Sequence, residues 1–188
     1  MSNGSNQRMG LSRRALLGAG ASGAVILTTA ALSVTTAMPA SASQSGWLWC
    51  NQCMSLWWPG NGFQVRCPIG PGRFHNSTGS GRYIVNDDRD GVGQGGWRWC
   101  AYCQGLWYAG NGDRGYCTVN GPGGHTLAGS RGYRVVQGPT TNGQSLWAWC
   151  RRCDGLWFAD NGTVGYCPFQ GGSFHIFAGS GVYSLNQD

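Results

Sequence analysis

The chain has 188 residues, is 41% hydrophobic and 11% charged, and carries a formal net charge of +6, with 34 glycines, ten tryptophans and nine cysteines. Its cationic side chains are all arginine and its acidic ones all aspartate; setting aside Arg8, Arg13 and Arg14 near the N-terminus leaves ten of thirteen arginines against seven aspartates, a balance of +3. So small and scattered an excess excludes the basic, aromatic-interleaved stripe of a nucleic-acid surface, and the absence of a 3.6-residue apolar period excludes a helical bundle.

Residues 1–42 read as an export segment rather than as part of the fold. Ser12-Arg13-Arg14-Ala15-Leu16-Leu17 carries paired arginines ahead of a weakly apolar run from Ala15 to Leu32, and Ala40-Ser41-Ala42 offers a small-residue cleavage site. The stretch resembles bacterial twin-arginine signals. That resemblance implies secretion of a chain already folded with its cofactor in place, starting at Ser43, and no stable membrane insertion once the signal is removed. A transmembrane anchor is the alternative, opposed by the Gly, Ser and Thr content of the run.

From Trp47 onward one pattern occurs three times at a period of 50 residues, in units 47–85, 97–135 and 147–185. Each unit reads W-x-W-C-x2-C, then C after thirteen residues and H after seven more, and closes on Gly-Ser-x-x-Tyr. In the middle unit, strands are expected near Trp97–Cys100, Leu106–Ala109, Gly115–Cys117 and Tyr133–Val136, with Asn111-Gly112 as a hairpin turn that recurs at Asn61-Gly62 and Asn161-Gly162. Alternation puts Trp97 and Trp99 on a core face. The residue between them, Leu48, Arg98 or Ala148, varies and is expected to face outward. The connections 86–96 and 136–146 differ in sequence but are equal in length, as a closed ring would require.

Every cysteine and histidine belongs to this pattern: Cys50, Cys53, Cys67 and His75; Cys100, Cys103, Cys117 and His125; Cys150, Cys153, Cys167 and His175. Three cysteines per unit cannot all pair within it, and nine cannot all pair in the chain. Three thiolates and an imidazole complete a tetrahedral shell, which predicts three structural zinc ions per chain with no open position. A disulfide of the Cys50–Cys53 type beside a buried third cysteine is the alternative, and a redox C-x2-C is less favoured because no βαβ context surrounds it.

Three four-stranded units with pseudo-threefold symmetry resemble a β-trefoil, which implies a single all-β domain over residues 43–188; an array of three small zinc-ribbon-like units is the other arrangement. The W-x-W-C-x2-C unit also resembles cysteine-repeat modules of secreted actinobacterial proteins. Resemblance to trefoil lectins implies a carbohydrate-binding protein, with Trp58, Tyr108 and Phe158 for stacking on sugar rings and Asn61, Asn111 and Asn161 for their hydroxyls. The competing reading is an adaptor that docks another secreted protein in an extracellular assembly such as a toxin particle, or an inhibitor, supported by the tryptophan excess. Catalysis has little to stand on. The histidines are committed to metal, Ser80 and Ser180 lack a free base, Asp87, Asp88 and Asp90 fall in a connection, and nothing in the pattern joins Asp113, Asp154 and Asp160 into a carboxylate pair.

Overall fold

The computed structural model describes residues 43–188 apart from Asn61, Phe63 and Pro71. The export segment expected in residues 1–42 and the candidate Asn61 lie outside the described residues.

The described chain is almost entirely β. Each unit contributes a long first strand, a short second strand and a long third strand: β1 (Gln44–Trp49), β2 (Leu56–Trp57) and β3 (Arg82–Asp87); β4 (Gln94–Trp99), β5 (Leu106–Tyr108) and β6 (Gly132–Gln137); β7 (Gly143–Trp149), β8 (Leu156–Phe158) and β9 (Val182–Gln187). Two single 3-10 turns, Asp88–Asp90 and Phe169–Gly171, complete the elements. The fourth strand expected at Gly115–Cys117 is instead an isolated bridge between Cys117 and Gly121. Gly115 sits at φ +57°, which breaks the extended run there.

Closure comes from the third strands. The end of β3 pairs with the start of β6 (Asn86 with Arg134), the end of β6 with the start of β9 (Val136 with Ser184), and the end of β9 with the start of β3 (Ile84 with Asn186), all antiparallel. The nine strands therefore form one nearly closed sheet, in which no long third strand is left with a free edge. A second ring of single bridges joins Trp57 to Gly105, Trp107 to Gly155 and Trp157 to Ser55.

Alternation along these strands builds the core. Trp47, Trp97 and Trp147 are wholly buried, with Leu56, Leu106, Leu156, Tyr83, Tyr133, Tyr183, Val85, Val135 and Leu185 in the same cluster. The contacts again run from unit to unit: Trp47 meets Tyr133 edge-on at 5.4 Å, Trp97 meets Tyr183 at 5.3 Å, and Trp147 meets Tyr83 at 5.1 Å. Each tyrosine hydroxyl then donates to a glutamine of a different unit, Tyr83 to Gln144, Tyr133 to Gln44 and Tyr183 to Gln94.

These glutamines precede the first tryptophan by three residues, across a bulge that shifts the register in all three first strands. Gly46 and Gly96 supply the left-handed conformation at that bulge, with φ of +82° and +91°. In the third copy Leu146 takes it at +67°. The variable residue between the paired tryptophans does not simply face outward. Ala148 is buried in the third cysteine cluster and Leu48 packs on the first, while Arg98 is half-buried and donates to Asp88.

Candidate metal centres

The turn joining the first and second strands of each unit carries the C-x2-C pair. Backbone bonds from Met54 to Cys50, Gln104 to Cys100 and Asp154 to Cys150, each 2.7–2.8 Å, close a tight knuckle. The residue after the second cysteine is left-handed in every copy, with φ of +65° at Met54, +56° at Gln104 and +59° at Asp154. None is glycine, and all three are buried, so the surrounding structure holds a conformation that costs on the order of 1–2 kcal/mol per residue. The long loop that follows delivers the third cysteine and the histidine over the same knuckle.

The result is three similar buried Cys3His groups, in which the ligand atoms all lie within 4.8 Å of one another. Cys50 and Cys67 have sulfurs 4.0 Å apart, as do Cys100 and Cys117, and Cys150 and Cys167 are at 3.8 Å. The histidine Nδ1 lies 3.4 Å from Cys53 Sγ, 3.4 Å from Cys103 Sγ and 3.7 Å from Cys153 Sγ. All nine cysteines are free, so the disulfide alternative is not realised. Each group can hold a metal ion.

The electrostatics match that use. Hydrogen bonds from neighbouring thiols pull Cys50, Cys100 and Cys150 well below the usual thiol range. Burial, with hydrogen bonding to Cys50, pushes the Cys53 thiol up; hydrogen bonding to the partner sulfurs does the same to Cys103 and Cys153. Burial works to lower the His125 pKa, but hydrogen bonds and charge from Cys100 and Cys117 outweigh it and raise the pKa to about 9. Each group thus concentrates negative charge and retains protons that a cation would displace.

Histidine hydrogen bonds join one group to the next. His125 Nε2 lies 2.9 Å from the carbonyl oxygen of Cys153, and His175 Nε2 lies 3.1 Å from that of Cys53. Such a bond fixes the ring so that Nδ1 faces the metal position. Each histidine also stacks on the tryptophan of its second strand: Trp57 on His75, Trp107 on His125 and Trp157 on His175, at 5.0–5.1 Å. Ser80, Ser130 and Ser180 accept from the backbone N–H of Trp49, Trp99 and Trp149 at 2.8 Å, which accounts for the serine of the closing motif.

Trp58, Tyr108 and Phe158 are half-buried at the seams between units, edge-on to Trp99, Trp149 and Trp49 at 5.9, 6.4 and 6.1 Å. Asn111 and Asn161 are exposed, and their amides reach the knuckle of the following unit: Asn111 Nδ2 donates to Asp154 Oδ1 at 3.2 Å, and Asn161 Nδ2 lies 3.6 Å from Met54 Sδ. The Asn-Gly pair is not a two-residue hairpin centre. Gly112 N–H donates to Ala109, and positive φ falls on Gly112 rather than Asn111. The structure does bring Asp113 and Asp154 together. Asp154 is buried, accepts from Trp149 Nε1 at 2.9 Å, and has its pKa raised to about 7 by burial and then by Asp113. Asp160 is exposed.

Ion pairing is uneven across the described residues. All five ion pairs among the described residues use arginines on or beside the third-strand triangle: Arg82 with Asp188, Arg89 and Arg131 with Asp87, Arg98 and Arg134 with Asp88. The other five, Arg66, Arg73, Arg114, Arg151 and Arg152, are exposed on the loops that carry the Cys3His groups and form no ion pair. Those loops also bear every exposed aromatic side chain among the described residues: Phe74, Tyr102, Phe174 and Phe177. Loops of all three units converge on a cavity of about 320 Å³ lined by Arg66, Pro68, Tyr116, Thr118 and Pro168 among others. Comparison of the chain with protein-family models, curated proteins and solved structures finds no match.

Proposed function

We propose that the protein is an exported, non-catalytic binding module whose fold is held by three structural zinc ions. The observation that carries this reading is the donor set. Four ligands placed tetrahedrally on zinc, with Zn–S of about 2.3 Å and Zn–N of about 2.0–2.1 Å, set sulfurs about 3.8 Å apart and sulfur from nitrogen by about 3.6 Å. In each group one sulfur–sulfur pair lies at 3.8–4.0 Å and one sulfur–nitrogen pair at 3.4–3.7 Å, and all four ligand atoms lie within 4.8 Å of one another. Soft thiolates with one imidazole suit zinc, and four protein ligands leave no position for water or substrate, which is the arrangement of a structural rather than a hydrolytic ion.

The binding surface best supported is the metal-bearing end. Exposed Phe and Tyr side chains beside arginines without ion pairs are the residue types that carry interface energy, and the arginines favour an acidic protein partner. Trp58, Tyr108 and Phe158 support the carbohydrate reading less, because their rings are engaged at the seams. The test is capture of partners from culture medium by the wild-type protein and by Arg152→Ala/Phe174→Ala, alongside a glycan array with Tyr108→Ala. Retention of an acidic protein that the double variant loses, and that salt releases, supports docking. Glycan binding abolished by Tyr108→Ala overturns it in favour of a lectin.

A further inference from the structure

The three Cys3His groups are alike in their ligands but not in what supports them. In units 2 and 3 the position two residues before the third cysteine is glycine, Gly115 and Gly165, left-handed at φ +57° and +61°. A Cβ there would lie 2.6 Å from the Cys153 oxygen and 2.7 Å from the Cys53 oxygen. These are the same carbonyls that His125 and His175 reach through Nε2. The bare backbone at this position is what allows the loop to settle against the neighbouring knuckle.

Unit 1 has Val65 at this position, which cannot make that approach. Its loop follows a different path. The His75 N–H bonds to the Val65 carbonyl, whereas His125 and His175 bond to Arg114 and Val164, one residue earlier in the repeat. Among the described residues His75 Nε2 has no bond to the Cys103 oxygen, and His75 is partly exposed where His125 and His175 are buried.

From this asymmetry, and resting on the zinc reading above, we infer that the group of Cys50, Cys53, Cys67 and His75 is an exchangeable metal site, while the other two hold their ions permanently. The cause is the missing hydrogen bond at His75 Nε2. Loss of a hydrogen-bond partner of a metal-bound histidine costs about 10–100-fold in affinity, and a partly exposed ring gives a competing chelator a path that the buried sites deny. The glycine-to-valine difference thus divides three equivalent sites into two that maintain the fold and one that can pass zinc to a chelating group outside the protein.

The test follows zinc release from the full secreted protein with the chromogenic chelator 4-(2-pyridylazo)resorcinol, with iodoacetamide labelling read by mass spectrometry at successive times. One zinc per chain is expected to leave about 10–100-fold faster than the other two, with Cys50, Cys53 and Cys67 labelled first. Val65→Gly should merge that fast phase into the slow ones, and this substitution removes side-chain bulk without removing a ligand. Release of all three ions in a single phase, or earliest labelling in unit 2 or 3, overturns the inference while leaving the zinc reading intact. A protein that carries no metal before the chelator is added overturns both.

Discussion

His125 Nε2 lies 2.9 Å from the backbone oxygen of Cys153, so the imidazole of one Cys3His group is hydrogen-bonded to the chain at a cysteine of the next. His175 and Cys53 repeat the relationship at 3.1 Å. Disturbing one group therefore disturbs the seam beside it as well as its own unit.

Cys103→Ser tests that coupling. Apparent zinc-binding free energies of small structural sites are about 10–16 kcal/mol, far more than a unit of this size can replace with its own core. The variant is expected to lose the ion of unit 2 and to block export, with precursor accumulating in the cytoplasm. Normal secretion at full zinc content would contradict it.

Leu146 offers a stabilising change. It is an exposed leucine in the left-handed conformation that Gly46 and Gly96 occupy in the other copies. Leu146→Gly should relieve about 1 kcal/mol of backbone strain, raising the melting temperature by about 2–4 °C. A fall in melting temperature would show that the side chain contributes more by packing than its backbone costs.

The ring of tyrosines and glutamines predicts a loss of ordinary size. Tyr183→Phe removes the bond to Gln94 and leaves the ring edge-on to Trp97, so chemical denaturation should show a loss of about 1 kcal/mol, against about 3–5 kcal/mol for Trp97→Ala. Equal losses in the two variants would contradict this account of the core.

Asp154 gives a pH dependence with a defined sign. Its folded pKa, about 7, lies above the ordinary 3.8, so the carboxyl favours the folded state when protonated. That contribution is complete below pH 3.8 and lost as pH rises towards 7. Asp154→Asn removes the charge and keeps an acceptor for Trp149. It should stabilise the protein by on the order of 1–2 kcal/mol at pH 8, and by less at pH 5.5. A gain in melting temperature that is the same at both pH values would contradict the assignment.

The Cys3His groups were legible in the sequence because cysteine and histidine are confined to one spacing, and a four-donor cluster needs little beyond residue type and order. The core tryptophans and tyrosines were legible because they alternate in strands. What escaped was register. Gln44, Gln94 and Gln144 stand across a bulge from Trp47, Trp97 and Trp147, so strand alternation stops short of them. The left-handed knuckle residues Met54, Gln104 and Asp154 share no side-chain chemistry that marks their conformation. The Asn-Gly pairs mimic hairpins because the same dipeptide suits any turn that needs positive φ at glycine. Arg98 and its counterparts looked solvent-facing because the second side of these strands is covered by the Cys3His groups rather than by a second sheet.

Metal analysis of the purified protein, with a thiol count before and after denaturation in chelator, bears most directly on the central claim. Three zinc ions per chain and nine thiols that react only after denaturation are expected. A protein without metal, or with its cysteines oxidised to disulfides, would contradict the account and return the histidines to other uses.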